Sequence, residues 1–242
     1  MNRICVKKTL EVIVILLFIG VSVIPSIEST KPEEYTEGEN PLFNDWPCDP
    51  VFDGIHGEGG WFITPVSVSF IYDPRIVAEI YYQVGSGEWT LYTEPFVIYE
   101  QGEINFLWYW VDFDGNKEIT ESHILKIDYS PPELALITPE KGKVYLFGEL
   151  LFEKEIARTI ILGKIVIDVD AIDEISGIGN ITFSLVKSSG PSETHVSETL
   201  PYIWELTGIH IGEYTLIVMA YDHGGLSVSA ILDMIILQFG IL

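Results

Sequence analysis

Cysteine is nearly missing from this chain: among 242 residues there are 2, Cys5 and Cys48. Cys5 falls in an N-terminal segment that reads as removable, which leaves Cys48 without a partner in the same chain and excludes a disulfide framework. In Asp45-Trp46-Pro47-Cys48-Asp49-Pro50 the neighbouring carboxylates disfavour a thiolate, so Cys48 reads as a buried or idle thiol, with an intermolecular disulfide as the alternative. Basic residues are scarce as well. Lys and Arg number 13 against 36 Asp and Glu, a formal net charge of -23, so a phosphate backbone would be repelled and nucleic acid is excluded as a partner. Signatures of catalysis are also missing: Gly-x-Ser-x-Gly, His-Glu-x-x-His, Cys-x-x-Cys and a Gly-rich phosphate loop do not occur, and His56, His123, His195, His210 and His223 are scattered singly. Activity has to be argued from a site, and none shows itself, so no enzyme is expected.

Apolar residues are plentiful, at 48% of the chain with 12% aromatic, which excludes disorder of the whole and suffices for one large core or two of about 100 residues each. Arg3, Lys7 and Lys8 precede an apolar run from Val12 to Ile24, followed by Pro25, Ser26 and Ser29. This is the layout of a secretory signal peptide over 1–29, cut near Ser26 or Ser29. The run is short of the roughly 20 apolar residues that span a bilayer, and retention as an anchor is the alternative. The chain is therefore expected to be secreted or at the cell surface, touching membrane only through this segment if it is uncleaved. Residues 30–46, with Glu33, Glu34, Glu37, Glu39, Pro32 and Pro41, read as an acidic flexible stalk.

From Pro47 onward no stretch has helical period. Short alternating apolar runs are separated by Gly, Pro, Asp and Asn, the pattern of an all-β sandwich. Val66, Val68, Phe70 and Tyr72 alternate along one strand, and Tyr81 to Val84 and Trp89 to Tyr92 flank the turn Gly85-Ser86-Gly87-Glu88. Ile104 to Val111 is apolar on both faces, with Phe106, Trp108 and Trp110 on one and Leu107, Tyr109 and Val111 on the other, and is expected to be buried on both sides. Ile119 to Ile127 closes a first module over 47–129. Ser130-Pro131-Pro132 then forms a Pro-rich linker, expected to carry few contacts. A second module over 133–242 contains strands at Leu134 to Thr138, Ile160 to Leu162, Ile165 to Ile172, Ile181 to Val186, Tyr214 to Tyr221 and Ser227 to Leu237. The modules repeat one another: Gly102-Glu103, Asp112 and Gly115 recur as Gly212-Glu213, Asp222 and Gly225 at a constant offset, and Pro95-Phe96 recurs as Pro201-Tyr202.

These residues resemble the immunoglobulin-like repeats of bacterial and archaeal secreted surface proteins. Gly60-Trp61-Phe62, Thr64-Pro65-Val66-Ser67-Val68, Ile80-Tyr81-Tyr82-Gln83-Val84, Gly87-Glu88-Trp89-Thr90-Leu91-Tyr92 and Val111-Asp112-Phe113-Asp114-Gly115-Asn116 are similar to the chitobiase C-terminal and leptospiral outer-membrane β-domain subtype. Asp173-Glu174-Ile175-Ser176-Gly177-Ile178, Pro201-Tyr202-Ile203-Trp204 and Gly212-Glu213-Tyr214-Thr215-Leu216 are similar to bacterial Ig-like repeats, although Asp222-His223-Gly224-Gly225-Leu226 departs from the Asp-x-x-Gly-Asn ending. The resemblance implies two tandem antiparallel immunoglobulin-like β-sandwiches and a non-catalytic extracellular structural or adhesion module. A carbohydrate-binding accessory module is one alternative; an assembly factor or inhibitor that binds a partner through a sandwich edge strand is another. The expected partner is a protein or glycan at the cell surface.

No cofactor is called for, calcium being the one ion the carboxylates suit. Asp168, Asp170, Asp173 and Glu174 lie close in sequence, and Asp222 ends a strand able to pair nearby. Against calcium, Asp168 and Asp170 share one strand face without an EF-hand loop, and Asp173 reads as a turn residue capping its own backbone. The matched Asp112 and Asp222 are expected to accept backbone N–H bonds across the turns that follow them. Trp108 and Trp110 are expected in the core and Trp89 as the exposed tryptophan able to stack on a sugar. Asn180-Ile181-Thr182 is a glycosylation sequon.

Overall fold

The computed structural model describes residues 47–152 and 156–240; the signal peptide and the stalk lie outside them. Seven strands build the first half: β1 (Cys48–Asp53), β2 (Val66–Tyr72), β3 (Val77–Val84), β4 (Thr90–Leu91), β5 (Phe96–Ile98), β6 (Gly102–Asp112) and β7 (Glu121–Ile127). They pair as two sheets, in the orders β1-β2-β5 and β4-β3-β6-β7. Side chains alternate across a strand, so Val66, Val68 and Phe70 of β2 and Ile104, Phe106, Trp108 and Trp110 of β6 all point into the space between the sheets and share one core. Pro50 is accommodated because β1 is an edge strand, where a missing N–H breaks no ladder on its free side.

The expectation that β6 is buried on both faces is corrected. Its inner residues are buried, but Leu107, Tyr109 and Val111 are only half-buried, and among the described residues no second sheet packs on that side. Aromatic rings cover one another there instead: Tyr81 stacks on Tyr109 at 5.1 Å, and Trp89 meets Tyr109 edge-on at 4.8 Å.

The second half contains β8 (Glu133–Thr138), β9 (Val144–Leu146), β10 (Glu149–Phe152), β11 (Thr159–Leu162), β12 (Val166–Ile172), β13 (Ile178–Lys187), β14 (Glu193–Ser197), β15 (Ile203–Glu205), β16 (His210–Asp222) and β17 (Ser227–Gln238). A sheet ordered β15-β12-β8 faces one ordered β10-β9-β11-β17-β16-β13-β14. Ile167 and Val169 of the smaller sheet meet Ile181, Phe183, Leu185, Leu216 and Val218 of the larger in a second core. Burying each such side chain contributes about 1.5–3 kcal/mol.

The sandwiches are not wholly antiparallel. β11 runs parallel to β17, with Thr159 opposite Met234 and Leu162 opposite Leu237, and parallel to β9 on its other side. The chain leaves β8 in the smaller sheet and crosses to the larger before β11, so it arrives at the free side of β17 running the same way. Alternation in β11 specifies which side chains face inward and not the direction of travel.

The sequence repeat falls on equivalent places. β6 and β16 are each paired on both sides, by β3 and β7 and by β13 and β17. Gly115 and Gly225, in the turns that follow, have φ of 82° and 88°, a conformation open to glycine without strain. The two halves thus share one plan, a tandem immunoglobulin-like architecture.

Candidate functional site

The segment from β7 to β8 is tied to the first sandwich. Asp128 donates its N–H to Phe62 O at 2.8 Å, Tyr129 donates its amide to Gln101 Oε1 at 2.7 Å and its hydroxyl to Tyr99 O at 2.6 Å, and Gln101 Nε2 donates to Ser130 Oγ at 2.9 Å. Prolines alone would leave a stiff but unanchored link; here side chains of the first sandwich satisfy the backbone of the connector.

At this connector one end of each sandwich meets the other. The first brings the loop from Gly57 to Trp61 and Asp128; the second brings the turn from Asp173 to Gly177 and the turn from His223 to Gly225. Glu58 N–H donates to Gly224 O at 2.8 Å, and Ser176 N–H donates to Asp128 Oδ2 at 3.1 Å. The approach is close enough to need glycine: a Cβ on Gly57 would lie 2.1 Å from Gly224 O.

Three carboxylates converge in this joint. Asp128, Asp173 and Asp222 each place an oxygen within 4.8 Å of the others, and Asp128 is 0% and Asp222 3% exposed. Asp173 Oδ1 accepts the amides of Ile175, Ser176 and Gly177 at 3.0, 2.8 and 2.8 Å, so it caps its own turn. Asp128 Oδ1 accepts Ser130 N–H at 3.0 Å.

Asp222 can be compared with its counterpart Asp112. Asp112 Oδ1 accepts the amides of Asp114 and Asn116 at 2.9 and 2.8 Å, and Oδ2 accepts the Asn116 side-chain N–H at 2.8 Å. These bonds, those from Asn116 foremost, lower the Asp112 carboxyl below its ordinary range. Asp222 Oδ1 likewise accepts Leu226 N–H at 2.9 Å, but Leu226 stands where Asn116 stands and has no side-chain donor. Among the described residues no partner reaches the buried Asp222 Oδ2, nor Ser176 Oγ. Burial foremost, with the charges of Asp128 and Asp173 adding to it, raises the Asp222 carboxyl above its ordinary value.

Of the calcium candidates read from sequence, Asp173 and Asp222 are thus brought together. Asp168 and Asp170 lie on β12 opposite Ile203 and Thr138 and opposite Ala135, outside the cluster, and Glu174 is not part of it. Asp128 was missed because it stands at the very end of the first module, beside the Pro-rich linker, far in sequence from the other carboxylates; its Asx geometry, an aspartate two residues before Ser130 in a turn, is the signal it carries. Trp108 and Trp110 are each 8% exposed, as expected of core residues, and Trp89 is 40% exposed. Lys117 Nζ lies 3.7 Å from the Tyr109 ring centre and 5.5 Å from that of Trp89. Asn180 is half-buried on β13, paired with Tyr221, its side-chain oxygen 3.4 Å from Thr182 Oγ1.

Cys48 is buried on β1, and desolvation first, then the charge of Asp49, pushes its thiol up to about 12. At the end of the second sandwich away from the joint, Leu146, Phe147, Leu162, Leu206, Leu237 and Phe239 line an apolar groove of about 490 Å³.

No protein-family model matches the chain, and no curated protein matches it. Among solved structures, the fibronectin(III)-like modules of Clostridium thermocellum CbhA align at 17% identity over 78% of this chain and 95% of theirs, with a TM-score of 0.37. A tetra-tandem repeat from the extending region of a large adhesion protein aligns at 13% identity over 77% of this chain and 49% of that one, TM-score 0.33. The IG1 and IG2 domains of DIP-gamma align at 11% identity over 80% and 99%, TM-score 0.29. At such scores these are likenesses only. The class rests on the strand order: two tandem immunoglobulin-like sandwiches with a carboxylate-lined joint.

Proposed function

We propose that the chain works outside the cell as a non-catalytic structural or adhesion module, a spacer whose two sandwiches are held in one arrangement. The observation that carries this reading is the joint: backbone meets backbone at Glu58 and Gly224, Asp128 receives the amide of Ser176, and the connector is anchored to the first sandwich. Short inter-domain links are mobile unless their contacts are specific, and these contacts serve a chain that must hold its ends apart. In this reading residues 1–29 are a signal peptide, 30–46 a stalk, 47–129 and 133–242 the two modules. The motifs around Gly60-Trp61-Phe62 and Asp173 to Ile178 support the chitobiase-like and bacterial Ig-like subtypes respectively. Accessibility to an added protease on intact cells, with N-terminal sequencing of the exported protein, tests it. A mature start between Pro25 and Thr30 on a surface-accessible protein is expected; an intact Met1 on a protein reached only after lysis overturns it.

A glycan-binding role is favoured by the outward strip of Tyr81, Tyr109 and Trp89. Sugar rings stack on such faces, and here Lys117 would have to move aside. A glycan array decides it: binding lost in Trp89→Ala supports the role, and an array without binding removes it.

A further inference from the structure

The two copies of the strand-ending aspartate act as an internal control. In the first, Asn116 satisfies both carboxylate oxygens; in the second, leucine replaces it and Asp222 Oδ2 is stranded in a residue 3% exposed. A buried anionic oxygen without a donor is costly, and two further carboxylates beside it increase the cost. The ion pairs of Arg75, Lys126, Arg158 and His210 are all made elsewhere. A second buried oxygen, Ser176 Oγ, is also without a partner, on the residue whose amide is shared by Asp128 and Asp173. Local turn formation explains Asp222 Oδ1 and Asp173 Oδ1, but among the described residues no hydrogen-bond donor reaches Asp222 Oδ2.

We propose that Asp128, Asp173 and Asp222 bind a calcium ion in the joint between the sandwiches, with Ser176 Oγ available as a neutral ligand. The donor set is all oxygen, which suits a hard cation and not zinc. Oxygens on opposite sides of calcium are separated by about twice its 2.3–2.6 Å bond, which accommodates a set spread over as much as 4.8 Å. Magnesium, at about 2.0–2.1 Å, would draw them within about 4.2 Å. One ligand follows β7 of the first sandwich, one sits in the turn after β12 and one ends β16 of the second, so the ion crosslinks the halves. Binding at the site stands on the cluster itself; only the stiffening it causes rests on the spacer reading.

The test uses the full chain freed of metal with a chelator. Calorimetric titration with calcium chloride is expected to show one ion bound in the affinity range of extracellular modules, about 10⁻⁴–10⁻³ M, with magnesium weaker. Near-saturating calcium should raise Tm by about 5–10 °C. Terbium offers a direct probe, because Trp61 lies close enough to sensitise it: a Cβ on Gly224 would sit 3.7 Å from Trp61 Cβ and 3.2 Å from Asp222 Oδ1. Asp222→Asn and Asp128→Asn should each weaken calcium at least about 10-fold, while Asp112→Asn should leave it unchanged. If Asp222→Asn does not fold, Asp128→Asn and the wild-type titration decide. The proposal is overturned by the absence of heat, luminescence and Tm shift up to about 10 mM calcium, by tighter binding of magnesium, or by undiminished binding in both variants. It is also overturned if Asp222→Asn raises Tm in metal-free buffer while wild type ignores calcium, since a proton would then occupy the stranded oxygen. Calcium binding without loss of inter-module motion would refute the spacer reading and leave the site intact.

Discussion

Replacing Gly57 by alanine perturbs the joint with a single carbon atom. Its Cβ would lie 2.1 Å from Gly224 O and 2.6 Å from Ile63 Cγ2, so the backbone must retreat by roughly 1 Å or more to regain ordinary contact. Gly57 does not have a positive φ, and the substitution therefore tests space rather than strain. The retreat carries Glu58 N away from Gly224 O, now 2.8 Å apart, and loses a bond worth about 0.5–1.5 kcal/mol net. Overpacking adds about 1–3 kcal/mol, and the lower entropy of the unfolded alanine chain returns about 0.4–1 kcal/mol. A net loss of about 0.5–4 kcal/mol follows, a fall in Tm of roughly 1–16 °C if the halves melt together. Calorimetry reads the fall, and hydrogen exchange at the Glu58 amide reads the broken bond. An unchanged Tm with the Glu58 amide still protected would refute the close approach of the two modules.

At the other end of the first sandwich, Asp112→Ala should lower Tm in the presence or absence of calcium, and Asp112→Asn should recover much of the loss, because the amide oxygen can still accept the Asn116 N–H; equal melts for the alanine variant and wild type would contradict this. Native Cys48, with its thiol pushed up to about 12, should resist an aromatic disulfide reagent at neutral pH and react once the chain is unfolded; rapid labelling of the native protein would show that β1 does not cover it. Hydrogen bonds from Arg75 hold the Asp73 carboxyl down at about 2 from 3.8. A depressed carboxyl contributes stability above its unfolded value and loses it as pH falls through the folded one, so wild type should lose stability between about pH 4 and 2 more steeply than Asp73→Asn; parallel curves would contradict the pairing.

Strands with two distinct faces were legible before the structure. Val66 to Phe70 alternates as read, although Tyr72, read as sharing that inner face, is exposed beside Ile71 where the strand runs out past the core; Tyr214 to Tyr221 and Ser227 to Leu237 carry enough apolar residues at period two to declare both their existence and their inner face. Short edge strands were not legible. Glu149–Phe152 is exposed at all four positions and Phe96–Ile98 is only three residues long, so neither has a periodicity to read; tertiary pairing alone makes them strands. Tyr109 misled because an aromatic partner and a lysine can cover a ring as well as a second sheet can. The matched aspartates were legible through the repeat, and so was the turn at Asp173. That Asp222 and Asp173 meet Asp128 was not, since the three are far apart in the chain and Asp128 belongs to the other sandwich's side of the connector. Spacing motifs find ligands that share a loop or a helix face; a site assembled from three turns has no such spacing.

The central claim is that the two sandwiches are held in one arrangement by the joint, and backbone ¹⁵N relaxation of the exported chain in calcium-containing buffer tests it most directly. Amides of β2, β3 and β6 should report the same rotational correlation time and diffusion tensor as those of β13, β16 and β17, because a jointed pair with the Glu58 to Gly224 and Ser176 to Asp128 bonds intact tumbles as one body. Two separate correlation times, each suited to a sandwich of its own size, would contradict the account.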